Sequence, residues 1–316
     1  YSDADGAVGT YAFSLSGTDA SALAINSSTG AITFNSAPNY EVKNSYSVTV
    51  RIDDGLFFAS EQIMININDI NDSPVITSAA SFSANENQTS VGTATATDED
   101  GDSLSYSLSG ADAASLTVDT SSGELSFSSA PDYETKSSYS INLSTSDGTL
   151  TDTQALIISV ININDNTPMI TSESNFSVDE NQTGVATAAY SDADGAVGTY
   201  AFSLSGTDAS ALAINSSTGA ITFTSAPDYE IKNSYTLTLG ISDGEFSSSQ
   251  EATITINNLN DNSPVITSAN LSANENQTNG GTVIANDADN LAALTYALSG
   301  TDVALVSIDV NTGVIT

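Results

Sequence analysis

The sequence predicts an all-β chain made of tandem immunoglobulin-like, Greek-key β-sandwich domains. Three observations predict this class: apolar and polar residues alternate with a period of two, landmarks recur every 93 to 96 residues, and helical spacing is absent. Roughly seven short strands in a repeat of this length are typical of an immunoglobulin-like sandwich. We therefore expect a linear array of sandwiches.

The chain repeats itself at two levels. Residues 1–34 are identical to residues 190–223, an offset of 189 residues, which indicates recent duplication. Weaker landmarks recur at about half that offset, namely Pro74, Pro168 and Pro264; Tyr40-Glu41, Tyr133-Glu134 and Tyr229-Glu230; and Asp54-Gly55, Asp147-Gly148 and Asp243-Gly244. Boundaries at the Asn/Asp-rich stretches before each proline give repeats one to four as residues 1–72, 73–166, 167–262 and 263–316. The outer two are shorter than the others, so we expect a segment of a longer array.

Local patterns in repeat two predict individual strands. Apolar and small polar residues alternate through residues 103–109 and 139–144, as on half-buried strands. Residues 116–127 are predicted to form two strands around a turn from Asp119 to Gly123. The β-branched run at 155–164 predicts a closing strand. In repeat one, two adjacent aromatics, Phe57-Phe58, cannot both point inward from an alternating strand, so one is expected to be exposed.

The charge balance excludes several kinds of partner. There are 39 Asp and Glu against four basic residues, Lys43, Arg51, Lys136 and Lys232, giving a formal net charge of −35. Such a chain repels itself unless cations intervene. Charged residues are only 14% of the chain, below the roughly 25% of ordinary domains, so the imbalance reflects scarce basic residues. Nucleic acid and anionic membrane are not expected partners.

Cysteine and histidine are both absent. Disulfides, thiolate or imidazole metal ligands, and Ser-His or Cys-His nucleophiles are thereby excluded, and only hard cations bound by oxygen remain. No stretch approaches 18 consecutive apolar residues, so no membrane insertion is expected within this segment. We expect any export signal or anchor to lie outside it.

Acidic motifs recur in one order in each repeat. In repeat two the order is Asn85-Glu86-Asn87, Asp98-Glu99-Asp100-Gly101-Asp102, Asp132-Tyr133-Glu134, Ser146-Asp147-Gly148 and Asn162-Ile163-Asn164-Asp165-Asn166-Thr167-Pro168. This order resembles the glutamate, DXD, DRE-type, XDX and DXNDNxP motifs of the cadherin family. It is most similar to the bacterial cadherin-like repeats of large secreted adhesins, and the resemblance covers the whole chain.

The resemblance implies calcium ions between successive repeats, held by the glutamate, DRE-type and linker motifs of one repeat and the DXD and XDX motifs of the next. Between repeats two and three the implied ligands are Glu86, Asp132, Glu134, Asn162, Asn164, Asp165, Asn166, Asp192, Asp194 and Asp243. Between repeats one and two they are Glu41, Asp69, Asn71, Asp72, Asp98, Asp100 and Asp147. Between repeats three and four they are Glu180, Asp228, Glu230, Asn258, Asn260, Asp261, Asn262, Asp287 and Asp289.

The residue types fit calcium on physical grounds as well. Ca²⁺ takes six to eight oxygens from carboxylates and from Asn or backbone carbonyls. Without a cation, carboxylates about 4 Å apart repel by roughly 1 to 4 kcal/mol per pair. Three departures bear on the number of ions: Asn162 and Asn258 replace the leading Asp of the linker motif, the first linker is one residue shorter, and Asn39 stands where Asp132 and Asp228 stand. The alternative is an acidic array whose carboxylates are merely solvated.

The motifs favour a mechanical function. We expect a stalk or filament segment of a bacterial surface adhesin, extracellular or on the cell surface, in which calcium blocks bending at each junction. Its partners would be calcium and either further copies of itself, in matrix or fibre assembly, or a surface glycan or protein receptor. A carbohydrate-binding array is the alternative, and would need exposed aromatics repeated at one position. An enzyme is not expected, because catalytic carboxylate pairs are seldom repeated at every domain boundary.

Overall fold

The structure, a computed structural model, describes residues 10–195 and 197–316. The first nine residues of repeat one, and with them the start of the duplicated segment, lie outside the described residues. The chain is 42% strand and 4% helix, which confirms the all-β prediction. It divides into two compact units, Tyr1–Ile161 and Asn162–Thr316. Among the described residues, none of the helices has the length and apolar character needed to cross a bilayer.

The first unit opens with the strands of repeat one. They are β1 (Ala12–Ser16), β2 (Leu23–Ile25), β3 (Ile32–Phe34), β4 (Ser45–Asp53) and β5 (Phe58–Asn66). An antiparallel sheet has the order β1-β4-β5, and β2 pairs with β3 as a separate hairpin. A 3₁₀ turn at Ala20–Ala22 precedes β2. Leu23 and Val48 are the buried residues of this core.

Repeat two completes the first unit as a two-sheet sandwich. Its strands are β6 (Val75–Ile76), β7 (Ser81–Asn85), β8 (Ser90–Thr93), β9 (Ala96–Thr97), β10 (Ser105–Ser109), β11 (Leu116–Val118), β12 (Glu124–Phe127), β13 (Ser138–Ser146) and β14 (Thr151–Ile161). The sheets have the orders β10-β13-β14-β7 and β11-β12-β8, and β6 pairs with β9. All pairs are antiparallel except β14 with β7. A 3₁₀ turn lies at Ala113–Ser115.

The second unit repeats this arrangement in repeat three. Its strands are β15 (Met169–Ile170), β16 (Asn175–Asp179), β17 (Gly184–Thr187), β18 (Tyr190–Ser191), β19 (Ala201–Ser205), β20 (Leu212–Ile214), β21 (Ala220–Phe223), β22 (Ser234–Ser242) and β23 (Ser247–Asn257), with a 3₁₀ turn at Ala209–Ala211. The sheets have the orders β16-β23-β22-β19 and β17-β21-β20, and β15 pairs with β18. Repeat four adds the pairs β24 (Val265–Ile266) with β26 (Ala285–Asn286) and β25 (Gly281–Thr282) with β27 (Val314–Ile315), and a 3₁₀ turn at Val303–Leu305.

The period-two pattern produces the core of each sandwich. On β13, Ile141 and Leu143 are buried while the intervening side chains face outward. They pack with Leu156 and Ile158 of β14 against Leu125 from the opposite sheet. Burying one such side chain contributes roughly 1.5–3 kcal/mol. The long strands therefore have a fixed register, which sets where their ends and turns project.

The predicted Asp119–Gly123 turn forms between β11 and β12. The Asp119 Oδ1 atom accepts the backbone N–H groups of Ser121 and Ser122 at 3.0 and 2.8 Å. Gly123 has φ of 73°, and a Cβ there would lie 2.4 Å from the Ala94 carbonyl oxygen. Only glycine fits this close approach without displacement.

Phe57 and Phe58 differ from the expectation that one of them is exposed. Both are exposed, by 77% and 63% respectively. Phe57 lies in the turn before β5, so strand alternation does not constrain it. Phe58, the first residue of β5, lies beneath the Arg51 guanidinium at 4.1 Å from the ring centroid.

Candidate metal sites

A buried glutamate follows the first long strand of each complete repeat. Glu86 follows β7, Glu180 follows β16, and each is 1% exposed. The Oε2 atoms accept the backbone N–H of Tyr133 at 2.7 Å and of Tyr229 at 2.8 Å. Glu180 Oε1 also accepts the N–H of Leu259 at 2.7 Å. Buried carboxylates persist only with such partners, and these bonds fasten the turns at residues 132–136 and 228–232 to the sandwich.

We name the turns at residues 39–43, 132–136 and 228–232 the acidic turns. Asp132 caps its own turn, because Oδ1 accepts the Thr135 N–H at 3.1 Å and Oδ2 accepts the Thr135 hydroxyl at 3.0 Å. These bonds, that of the N–H first, lower the pKa of Asp132. Asp228 uses only Oδ1 in this way, accepting the Ile231 N–H at 3.0 Å. Carboxylate oxygens of Asp228, Glu180 and Glu230 lie within 4.8 Å of one another, whereas Asp132 is in no such group among the described residues.

The second unit contains a junction between repeats three and four. Carboxylate oxygens of Glu230, Asp261 and Asp289 lie within 4.8 Å of one another, as do those of Glu180, Asp228 and Glu230. The Asn262 backbone and side-chain nitrogens donate to the two oxygens of Asp289 at 2.7 and 2.8 Å. Further contacts to this cluster come from Asn258, which donates to the Asp289 carbonyl at 2.9 Å, and Asn181, which donates to Asp261 at 2.5 Å. Asp287 accepts the Asp289 N–H at 3.1 Å, and Asn260 is exposed in the linker.

The negatively charged carboxylates in this cluster repel one another. Burial raises the pKa of Glu230, and the neighbouring charges of Glu180, Asp289 and Asp228 raise it further. At Asp289 burial also favours the neutral form, but the hydrogen bonds from Asn262 outweigh it and the pKa is lowered. The pKa values of these two neighbouring acids are therefore shifted in opposite directions, upward at Glu230 and downward at Asp289.

The first unit contains the junction between repeats one and two. Oxygens of Glu41, Asp72 and Asp100 lie within 4.8 Å of one another. Asp100 Oδ2 accepts the Asp72 N–H at 2.6 Å, and Asp98 Oδ1 accepts the Asp100 N–H at 3.0 Å. Burial, then the charge of Asp100 and other nearby acids including Asp69, raises the pKa of Asp72. The acids of two repeats thus converge within this unit.

A linker asparagine also reaches the aspartate of the β13–β14 hairpin. Asn71 donates its side-chain amide to Asp147 Oδ2 at 2.9 Å, and this bond is the largest cause of the lowered pKa of Asp147. Asp147 Oδ1 accepts the backbone N–H of Thr149 and Leu150, which fixes its orientation. In the second unit, burial raises the pKa of Asp243, but the backbone N–H groups of Glu245 and Phe246 and the side chain of Asn164 outweigh burial and lower it.

The second unit begins with the linker that precedes repeat three. Asp194 Oδ2 accepts the N–H of Asp165 at 3.1 Å and of Asn166 at 2.8 Å, and Oδ1 accepts the Asn166 side chain at 2.7 Å. Asn162 donates to the Asp194 carbonyl at 3.1 Å, and Asp192 accepts the Asp194 N–H at 3.0 Å. Burial raises the pKa of Asp194, but the hydrogen bonds that its carboxylate accepts from Asn166 and Asp165 outweigh burial and lower the pKa. Glu86, Asp132 and Glu134 belong to the first unit, where Glu134 is exposed.

Buried oxygens without partners test whether these residues fit a cation. Twelve buried side-chain N or O atoms in the described part of the chain lack a hydrogen-bond partner, and seven belong to predicted ligands. The seven are Asp98 Oδ2, Asp100 Oδ1, Asn162 Oδ1, Asn164 Oδ1, Asp192 Oδ2, Asp243 Oδ2 and Asn258 Oδ1. An unpaired buried acceptor is costly, and each of these is an oxygen of the kind that Ca²⁺ prefers. The donor set therefore fits calcium.

Two acids near the first junction were not predicted as ligands. Asp102 groups with Asp98 and Asp100 within 4.8 Å. Glu99 accepts the Asn39 side chain at 3.2 Å, and its charge helps to raise the pKa of Asp72. The signal was present as four acids within residues 98–102, interrupted only by Gly101, but the DXD pattern uses only the first and third positions.

The sequence matches the Cadherin domain family over residues 79–161 and 174–257, which is more than half of the chain. The chain belongs to the cadherin family. Cadherin domains are extracellular adhesion modules that bind calcium at the linkers between domains. The family match thus agrees with the location of the unpartnered oxygens.

Similar proteins are animal cadherins. Protocadherin Fat 4 of Mus musculus is 37% identical over 123 residues, 36% of this chain and 2% of that protein. Protocadherin Fat 1 of Homo sapiens is 30% identical over 275 residues, 79% of this chain and 6% of that protein. The chain therefore spans only a few per cent of these relatives. They give no evidence for the expected bacterial origin.

Solved cadherin structures share the fold. The protocadherin gammaB7 EC3-6 cis-dimer structure has a TM-score of 0.66 at 22% identity, covering 98% of this chain and 85% of that one. Mouse cadherin-23 EC22-24 has a TM-score of 0.55 at 22% identity, covering 79% and 87%. These matches confirm the tandem sandwich prediction for this cadherin chain.

Proposed function

We propose that this chain is a calcium-rigidified extracellular stalk or filament segment of an adhesin. The seven buried, unpartnered oxygens at predicted ligand positions carry the proposal. A bound calcium ion would supply the positive charge that these acids lack. The chain's own residues arrange the acids before any ion binds, through the bonds of Asn262 to Asp289 and of Asp72 to Asp100.

The proposed ligands in each unit come from two successive repeats. In the first unit, Glu41, Asp69, Asn71 and Asp72 would act with Asp98, Asp100 and Asp147. In the second, Glu180, Asp228, Glu230, Asn258, Asn260, Asp261 and Asn262 would act with Asp287 and Asp289. The ten ligands proposed between repeats two and three, and the domain boundaries after residues 72, 166 and 262, rest on the motifs. An ion held by both repeats resists their bending, because bending would pull ligands away from it.

We assign the parent protein to a bacterial surface on the resemblance of the motifs and on the composition. Thirty-nine acids against four bases and no cysteine suit a secreted array stiffened by calcium instead of disulfides. Adhesion, with matrix or fibre assembly, is the proposed role. Antibody labelling of intact producing cells should detect the segment, and labelling only after permeabilisation would contradict surface exposure.

No observation favours the carbohydrate-binding alternative. The most exposed aromatic side chains among the described residues are Phe57, Phe58 and Tyr190. Repeat two has Leu150 and Thr151 where repeat one has the two phenylalanines, and it has Ala96 in place of Tyr190. A stacking platform is therefore not repeated along the array. A catalytic role is not proposed either, since the carboxylates recur at linkers.

Limited proteolysis of two variants tests the function. Asp261→Ala removes a linker acid, whereas Asp119→Ala removes a carboxylate that caps a turn inside repeat two. Binding stabilises the ordered state by RT ln(1 + [L]/Kd), about 2.7 kcal/mol at a hundredfold excess of ion. In calcium, Asp261→Ala should be cleaved in the linker at residues 257–265 while its circular dichroism stays that of a β protein. Equal protection of both variants and the wild type in that linker would contradict the proposal.

A further inference from the structure

Three of the four basic residues occupy one position in successive repeats. Lys43, Lys136 and Lys232 each lie two residues after the glutamate of an acidic turn. Because the chain has 39 acids and only four basic residues, a lysine could find an acidic partner almost anywhere. Electrostatic attraction alone would therefore not require all three lysines at this one position. The position therefore needs an explanation from its contacts.

Each lysine pairs with an aspartate that precedes a 3₁₀ turn. In repeat three the Lys232 ammonium is paired with Asp208 Oδ1, and Asp208 Oδ2 accepts the Thr236 N–H at 2.8 Å. The Asp208 N–H returns a bond to the Thr236 carbonyl at 3.1 Å. The same contacts recur at Lys43, Asp19 and Ser47, and at Lys136, Asp112 and Ser140. The carboxylate thus joins the lysine to the start of the long β22 strand.

An aromatic pair extends the connection to the core. The Lys232 ammonium lies 4.8 Å from the centroid of the Tyr235 ring, and that ring meets Phe223 edge-on at 4.9 Å. Phe223 is buried in the core of repeat three. Equivalent pairs are Tyr46 with Phe34 and Tyr139 with Phe127. The lysine is therefore held over an anchored ring as well as by a carboxylate.

The backbone of the same lysine closes the acidic turn. The Lys232 N–H donates to the Asp228 carbonyl at 2.9 Å, so Lys232 is the last residue of the turn that carries Glu230. The other side of this turn is fastened by Glu180, which accepts the Tyr229 N–H. Glu230 thus lies between two residues held by hydrogen bonds, Tyr229 by Glu180 and Lys232 by the Asp228 carbonyl.

We propose that each Lys–Asp pair is a positioning clamp that holds the glutamate of the acidic turn in its cation-binding geometry. This inference rests on the calcium binding proposed above. Neither residue of the clamp is a ligand. An exposed ion pair changes stability little, whereas groups that orient metal ligands typically change affinity by about 10- to 100-fold. Removing a clamp should therefore weaken calcium binding, whereas removing a merely structural ion pair should leave calcium binding unchanged.

The test compares Lys232→Met with Arg51→Met in the full chain. Arg51 is a matched control, because it also pairs with an aspartate, Asp53, and lies over a ring, Phe58, but it is not part of an acidic turn. By calorimetric titration with calcium chloride, Lys232→Met should weaken one class of sites about tenfold, and Arg51→Met should weaken none. Lys232→Arg should restore most of that affinity.

A second readout needs no bound ion. In chelator, hydrogen exchange of the peptide containing Tyr229 and Ile231 should be faster in Lys232→Met than in Arg51→Met. Asp208→Asn, which keeps the shape of the aspartate, should reproduce both effects if Lys232→Met folds poorly. Unchanged affinity and unchanged exchange in both repeat-three variants would overturn the clamp and leave the proposed function standing. A wild-type chain that binds no calcium would overturn both.

Discussion

Asn262 donates to both carboxylate oxygens of Asp289, with its backbone N–H at 2.7 Å from Oδ2 and its side-chain amide at 2.8 Å from Oδ1. One linker residue thereby fixes a buried acid of the following repeat. The same arrangement joins Asn166 to Asp194. The first linker is one residue shorter, and Asp100 Oδ1 there has no partner among the described residues.

Asn262→Ala should therefore weaken calcium binding at its junction by about tenfold, as loss of a ligand-orienting group does. Calorimetric titration of the full chain measures this. Asn279→Ala is a suitable control, because Asn279 accepts only a local bond from the Gly281 N–H at 2.9 Å. Equal affinities of the two variants would show that Asn262 does not orient Asp289 for the ion.

Asp112 gives a pH dependence with a defined sign. The Lys136 side chain, then the Ser140 N–H, lowers its pKa in the folded chain. A lowered folded-state pKa contributes stability above the unfolded value of about 3.9, and that contribution disappears as the pH falls through the folded value. Asp112→Asn should thus cost stability near about pH 6 and progressively less in acid. Urea unfolding of the wild type and of Asp112→Asn, near neutral pH and in acid, measures this cost. A cost that does not change with pH would contradict the stabilisation of the Asp112 carboxylate by Lys136 and Ser140.

Leu239 tests the core independently of metal. It is completely buried on β22, and Leu239→Ala should cost about 2–5 kcal/mol through lost burial and the cavity left behind. Met169 is 64% exposed, so Met169→Ala should change stability by no more than about 0.5 kcal/mol. Urea unfolding in calcium measures both. Similar costs for the two variants would mean that the core of repeat three is wrongly assigned.

Local patterns predicted strands better than partners. The alternation at residues 139–144 specified β13, because a period of two is visible within a few residues. The parallel pairing of β14 with β7 joins Ile157 to Ser81, and no local pattern encodes so distant a choice. The sandwich class nevertheless followed from repeat length and strand number.

The same division holds for the candidate sites. The motifs identified residues whose oxygens are buried without partners, such as Asp98 and Asn258. They did not distinguish Asp132 from Asp228, because the difference depends on the hydroxyl of Thr135 where repeat three has Ile231. They also did not indicate the Lys232–Asp208 contact, whose partners lie 24 residues apart. Both features depend on side-chain geometry, which the motifs do not specify.

Ion selectivity follows from the irregular linkers. Ca²⁺ accepts six to eight oxygens in flexible geometry, whereas Mg²⁺ requires a nearly ideal octahedron and gives up water reluctantly. The mixed carboxylates and amides around Asp261 and Asp289 suit the larger ion. Calcium should therefore raise the melting temperature more than an equal concentration of magnesium. Equal stabilisation by both ions would contradict this.

Small-angle X-ray scattering in excess chelator and in millimolar calcium tests the central claim most directly. Without ions, repulsion among the junction acids should leave successive repeats flexibly connected, and calcium should straighten them, with an affinity of about 10⁻⁴ to 10⁻³ M as for extracellular modules. We expect calcium to increase the maximum dimension of the chain and to narrow its distribution of distances. An identical maximum dimension in chelator and in calcium would contradict calcium-dependent rigidity.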